Sequence, residues 1–166
     1  MPLPRMPRKV KSRLGKSAAV LAITVGVVGT FEGVRTVAYK DVVGVPTVCF
    51  GETRGVKMGD QYTMTECKKM LGGALLEFSA GLDKCLKPEV EVPDLTYVAF
   101  MSWAYNVGIG AACKSTLVRK ANAGDLLGAC NQLPRWNRGG GRPIRGLTRR
   151  RGEERTMCLK GLDRAA

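Results

Sequence analysis

The 166-residue sequence predicts an α+β protein, mostly helical, with one small β-hairpin lobe near its N-terminus. Two observations carry that reading. Residues 32–62 are rich in Val, Thr and Gly in short β-branched runs, whereas from Thr63 onward apolar residues recur at three- and four-residue spacing between recognisable start and stop residues. A third feature precedes both: a basic leader followed by an uncharged stretch of 15 residues, Ser17 to Phe31. The expected division is therefore 1–31 as leader and signal-anchor segment and 32–166 as one folded domain. No internal repeat is present.

The leader holds Arg5, Arg8, Lys9, Lys11, Arg13 and Lys16, six positive charges of a net +13. By the positive-inside tendency it stays cytoplasmic and sends the rest of the chain outward. As a helix, the uncharged stretch SAAVLAITVGVVGTF would be about 22 Å long against roughly 30 Å of bilayer hydrocarbon. Gly, Ala, Ser and Thr dilute its apolar character, so its insertion is weak. No small-x-small cleavage site closes it, and an uncleaved signal anchor is expected in preference to a buried core helix.

After it, Tyr39-Lys40-Asp41 leads into Val42 to Val48, broken by Gly44 and Pro46, which reads as a hairpin. Thr63-Met64-Thr65-Glu66 has the capping-box form. Cys67, Leu71, Leu75, Phe78, Leu82 and Cys85 then share one helical face, predicting a long helix to Pro88 in which Cys67 and Cys85, about 27 Å apart, cannot bond each other. Asp94 is expected to cap a second helix stopped by Gly108, Ser115 a third ending at Gly124, and Asp125 a fourth. The stretch Arg138-Gly139-Gly140-Gly141-Arg142 reads as a mobile loop before a last helix from about Leu147 to Leu162.

Composition restricts the chemistry. The chain has no histidine, which excludes Ser-His-Asp and Cys-His catalysis, His-ligated zinc and imidazole switching. Acid and base work falls to carboxylates. Six cysteines without C-x2-C spacing point to disulfides in an exported chain, with no metal and no cofactor expected. Cys130 and Cys158, on apolar faces of two helices that must pack together, are the preferred pair; the other connectivities stay open.

Glu32, Asp41 and Thr47 form a plausible constellation for glycoside hydrolysis, in which one protonated carboxyl serves the leaving oxygen and a second carboxylate activates water or stabilises the sugar cation. Glu32 beside Phe31 suits a raised pKa, Asp41 in a polar turn stays ionised, and Thr47 on the facing strand can bind the water. By themselves these residues read more readily as ordinary surface charges and a strand threonine, since the spacing arises by chance in many proteins. Eight arginines between Arg135 and Arg155 support a competing class, a non-enzymatic membrane-anchored protein binding nucleic acid or anionic envelope polymers. No RNA-binding aromatic signature or zinc-finger spacing accompanies them, and no nucleic-acid partner is expected.

Several separated motifs, in order, resemble one family. Phe31-Glu32-Gly33, Tyr39-Lys40-Asp41-x3-Gly44-x2-Thr47, Ala104-Tyr105-Asn106-Val107-Gly108, Ser115-Thr116-Leu117-x-Arg119-Lys120-x-Asn122-x-Gly124-Asp125 and Trp136 with the arginine-rich last helix resemble the phage-type lysozymes of glycoside hydrolase family 24, especially signal-anchor-release endolysins. The resemblance implies a lysozyme-like catalytic domain that cuts the bond between N-acetylmuramic acid and N-acetylglucosamine in peptidoglycan. It makes Glu32 the general acid and gives Asp41 and Thr47 the attacking water. Tyr105, Asn106 and Thr116 match positions lining the glycan cleft, and Glu52 stands where many relatives place histidine, as a third carboxylate near that cleft. It further implies a monomer, anchored in the host inner membrane through 17–31 and then released to the periplasm.

Overall fold

A computed structural model describes residues 12–166; Arg5, Arg8, Lys9 and Lys11 of the leader lie outside the described residues. The chain forms two compact units, divided between Glu77 and Phe78.

In the first unit, Ser17 caps helix α1 (Ala18–Glu32), its hydroxyl accepting from the Val20 N–H at 3.3 Å. Gly33, with a φ of 68°, ends the helix. Val20, Thr24 and Val28 are buried at four-residue spacing, so one face of the helix is covered by protein. Thr24 donates its buried hydroxyl to the Val20 carbonyl at 2.8 Å, and Thr30 donates to that of Val27 at 2.7 Å. A Cβ at Gly29 would lie 3.4 Å from the Phe50 ring and 3.8 Å from Leu71, so the helix is seated closely there. Among the described residues no helix is long and apolar enough to cross a membrane.

The expected hairpin is β1 (Arg35–Lys40) and β2 (Pro46–Cys49), antiparallel, with Arg35 opposite Cys49 and Tyr39 opposite Thr47. Between those pairs β1 carries more residues than β2, a bulge that bends the strand. The other edge of β1 is taken by residues 60–62, through Ala38 N–H to Asp60 O and Tyr62 N–H to Thr36 O, both 2.9 Å. Beyond β2 the chain folds back sharply: Val48 and Glu52 exchange two backbone hydrogen bonds at 2.9 Å, with Cys49 at a φ of 58°. Cys49 is bonded to Cys67, and both belong to a core of Ala38, Val48, Val56, Tyr62 and Met70 with Phe50 against it.

The capping box forms as read. Thr63 N–H donates to Glu66 Oε2 at 2.7 Å and Glu66 N–H to Thr63 Oγ1 at 3.2 Å, opening α2 (Met64–Asp83). The helix stops at Asp83, short of the expected Pro88. Tertiary contacts override the pattern: Cys85 leaves the helix to bond Cys113, and Asn122 accepts from the Lys87 N–H and donates to the Cys85 carbonyl, each at 2.8 Å.

In the second unit, α3 (Asp94–Val107) is buried along nine consecutive residues, Thr96 to Ala104, on all its faces and not only the one its periodicity suggested. Its N-cap is Pro93; Asp94 is the first helical residue and makes no side-chain cap, which corrects its expected role. Its charge still complements the helix dipole. Gly108, φ 90°, stops the helix, and a short α4 (Ile109–Cys113), unforeseen in the sequence, follows at once. Ser115 caps α5 (Thr116–Asn122) and Asp125 caps α6 (Leu126–Cys130), through the N–H groups of Val118 at 3.1 Å and Gly128 at 2.8 Å.

The supposed loop at Arg138 is a second antiparallel hairpin, β3 (Arg138–Gly139) and β4 (Arg142–Pro143). Gly140 and Gly141 both have positive φ, as a two-residue type I′ turn requires. Helix α7 (Arg145–Ala165) packs along α3. Gly161 allows this approach, since a Cβ there would run into Thr96, whose hydroxyl donates to the Cys158 carbonyl at 2.9 Å. Cys158 is bonded to Cys130 with Cα atoms 5.7 Å apart.

Candidate active site

Glu32 is the last residue of α1, so its position is fixed by the seating of that helix on Phe50 and Leu71. It is half-buried, with Oε1 out of solvent contact. It lines a cleft of about 370 Å³ together with Arg35, Tyr39, Cys49, Phe50 and Gly51. Arg35 lies over the Tyr39 ring, 4.4 Å from its centroid, so a cation and an aromatic face are held together in the same wall. Sequence reasoning assigned no role to Arg35 or Phe50. An arginine preceding a tyrosine within one β run was the available signal for the first.

Asp41 follows β1 directly. Its Oδ1 accepts from the N–H groups of Val43 and Val45, both at 2.9 Å, fixing the hairpin turn; Oδ2 takes no hydrogen bond among the described residues. One side chain thus builds the turn and offers a second oxygen. Thr47 is buried, 4 % exposed, across from Tyr39, and donates its hydroxyl to the Val45 carbonyl at 3.0 Å. Its oxygen can then only accept from a water. Neither Asp41 nor Thr47 is among the residues lining the cleft beside Glu32, which the structure groups with Tyr39.

Glu52 is committed elsewhere. Its Oε1 accepts from Thr53 N–H, Arg54 N–H and Arg54 Nε at 3.0, 2.9 and 3.1 Å, and Oε2 pairs with the Arg54 guanidinium at 3.0 Å. The same guanidinium reaches Glu77 at 3.0 Å. Burial pushes the Glu52 carboxyl up, but the hydrogen bonds and charge of Arg54 and the Thr53 N–H outweigh it, holding the group below the usual carboxylate range.

In the second unit Tyr105 is half-buried with its ring 5.1 Å from that of Phe78, and Thr116 is exposed as the first residue of α5, accepting from Arg119 at 2.7 Å. Asn106 is exposed and lines a pocket of about 440 Å³ with Arg135, Trp136 and Arg138. Trp136 is held edge-on by the buried Trp103, their ring centroids 5.3 Å apart. Behind the pocket, Arg150, Arg151 and Glu154 of α7 are all buried. Burial pushes the Glu154 carboxyl up, against the pull of Arg151, Ser102 and Arg150.

The phage lysozyme family model matches residues 29–154, from the last turn of α1 into α7. The chain belongs to the phage lysozyme family. Among its relatives, the SAR-endolysin of Bacteriophage PS119 is 45% identical over 145 residues, covering 87% of this chain and 86% of its own. That of Enterobacteria phage PA-2 is 40% identical over 163 residues, covering 95% of this chain and 98% of its own, so the match takes in α1. In structure, P22 lysozyme superposes with a TM-score of 0.76 at 26% identity, covering 83% of this chain and 96% of its own. The active form of the P1 phage endolysin superposes at 0.71 with 26% identity, covering 87% and 94%. A phage lysozyme of this kind is a glycoside hydrolase, an endolysin muramidase whose substrate is peptidoglycan. The reading as a polyanion binder without enzymatic activity gives way to it.

Proposed function

We propose that Glu32 is the general acid of this muramidase, protonating the oxygen that leaves when the bond from N-acetylmuramic acid to N-acetylglucosamine breaks, and that Asp41 and Thr47 hold the water that attacks the opposite face of the sugar. One observation carries the reading: Glu32 lies in a walled cleft at the end of a helix seated in the protein, with one oxygen removed from solvent. Asp41 keeps Oδ2 for the water and Thr47 keeps a lone pair, so a base and an acceptor remain available.

Membrane control belongs to the same proposal. Residues 17–31 form the signal anchor and 32–166 the catalytic domain. While 17–31 lies in the inner membrane, α1 cannot occupy its seat against Phe50 and Leu71, and Glu32 is not delivered to its cleft. Release to the periplasm lets α1 dock and completes the site in a monomer. The relatives named SAR-endolysins, matched across α1, support this reading.

Turbidity loss of outer-membrane-permeabilised bacteria tests the assignment. Glu32→Gln keeps size and removes the donor, so lysis should fall about 100- to 10,000-fold with the thermal melt unchanged. A variant that lysed cells at near wild-type rate would show that another group is the acid.

A further inference from the structure

Arg151 is wholly buried, which is costly for a guanidinium unless its environment is built to receive it. Its environment is so built. Glu154, equally buried and three residues along α7, places Oε2 at 3.1 Å from Arg151 Nε. Glu154 Oε1 accepts from Ser102 Oγ at 2.7 Å and Arg150 Nε at 3.1 Å, and Arg150 also donates to the Ser102 carbonyl at 3.0 Å, fastening the brace to α3. From this brace one Arg151 nitrogen reaches the side chain of the exposed Asn106 and donates to its Oδ1 at 2.7 Å.

A guanidinium has only donors, so it accepts one orientation of the amide. The oxygen faces inward, and the NH2 edge of Asn106 remains for the pocket it lines beside Trp136. The charge-assisted bond resists the flip an exposed asparagine otherwise makes freely. For stability alone, apolar residues of similar volume would serve as well as the buried pair.

We infer that Arg151 is a positioning residue: braced by Glu154, it fixes the Asn106 amide with its two N–H donors directed to the pocket, where they read a carbonyl or carboxylate oxygen of the peptidoglycan. This rests on the muramidase reading above. The oxygen belongs either to a sugar acetamido group or to a peptide stem, and both present the same acceptor chemistry.

Steady-state kinetics on purified peptidoglycan tests it, with wild type, Asn106→Ala, Arg151→Lys and the double variant. Asn106→Ala should raise KM about tenfold, the loss of one hydrogen bond made in the bound state, with kcat changed less than about twofold. A lysine keeps a charge for Glu154 but cannot also grip Asn106, so Arg151→Lys should raise KM about threefold, and the double variant should be no worse than Asn106→Ala. If the two effects multiply, Arg151 acts on the fold and the inference fails. Asn106→Asp needs no change at Arg151: the carboxylate still accepts from it, so the melt holds, but the donors are gone and KM should rise as in Asn106→Ala. An aspartate variant with wild-type KM overturns the inference even if the lysine variant does not fold. Repeating Asn106→Ala on amidase-stripped glycan separates the sources, since a persisting KM effect assigns the oxygen to the sugar and a vanishing one to the stem. Inactive wild-type protein would instead sink the muramidase reading.

Discussion

Glu52 is a carboxylate whose neighbours decide its charge. Because Arg54 and the Thr53 N–H hold its pKa below the unfolded value near 4.3, the group adds stability above that value and loses it as pH falls through the lower folded one. Glu52→Gln should thus destabilise the protein at pH 7 by less than about 1 kcal/mol, since Arg54 is 52% exposed and the pair is screened. Thermal melts of the two proteins should draw together as the pH falls from the ordinary carboxylate range through the lowered folded-state value. A gap that persisted there would mean the loss is one of packing. The sequence marked Glu52 as unusual but could not show what holds it: Arg54 two residues on was legible, whereas Glu77 joins only through the fold. Glu32 and Asp41 stood out in the sequence as the carboxylates of the proposed site because, without histidine, residue type leaves few groups for acid and base work. That Asp41 also builds its own turn depends on backbone geometry at Val43 and Val45.

Among the elements, α1 carries a sharp test. Gly26 has open space where a side chain would go, whereas a side chain at Gly29 meets Phe50. Gly26→Leu should therefore add apolar transfer energy without disturbing the docked helix, leaving more protein in the membrane fraction, delaying lysis, and leaving the melt of the released form at or above wild type. Gly29→Leu should lower purified activity as well, because Phe50 must move in the wall beside Glu32. Equal membrane retention of Gly26→Leu and wild type would count against the anchor. Caps and stops were legible where the residue does the work alone, as at Thr63, Glu66, Ser115 and Asp125. They failed where a neighbour intervened. Pro93 took the cap position from Asp94, Cys113 and Asn122 drew Cys85 out of α2, and a glycine turn with few side chains concealed the β3–β4 hairpin.

For the molecule as a whole, three disulfides are not equally guarded. Cys49, Cys67, Cys130 and Cys158 are buried, while Cys85 and Cys113 are only partly covered. Mild reductant followed by alkylation of the folded protein should label Cys85 and Cys113 first, as read by peptide mapping. Early labelling of Cys130 would contradict this. Replacing Cys130 and Cys158 together by alanine, which buries no new hydroxyl, should cost about 3 kcal/mol and lower the melting temperature by roughly 10 °C. The bond from Cys49 to Cys67 has a different consequence, one that bears on descent. Position 49 sits at a φ of 58°, a region glycine enters freely and a cysteine does not, so here the sulfur outweighs what the backbone prefers. The two cysteines are then a joint inheritance: a lineage that loses the one at 67 has no reason to keep the other, and the backbone at position 49 then favours glycine.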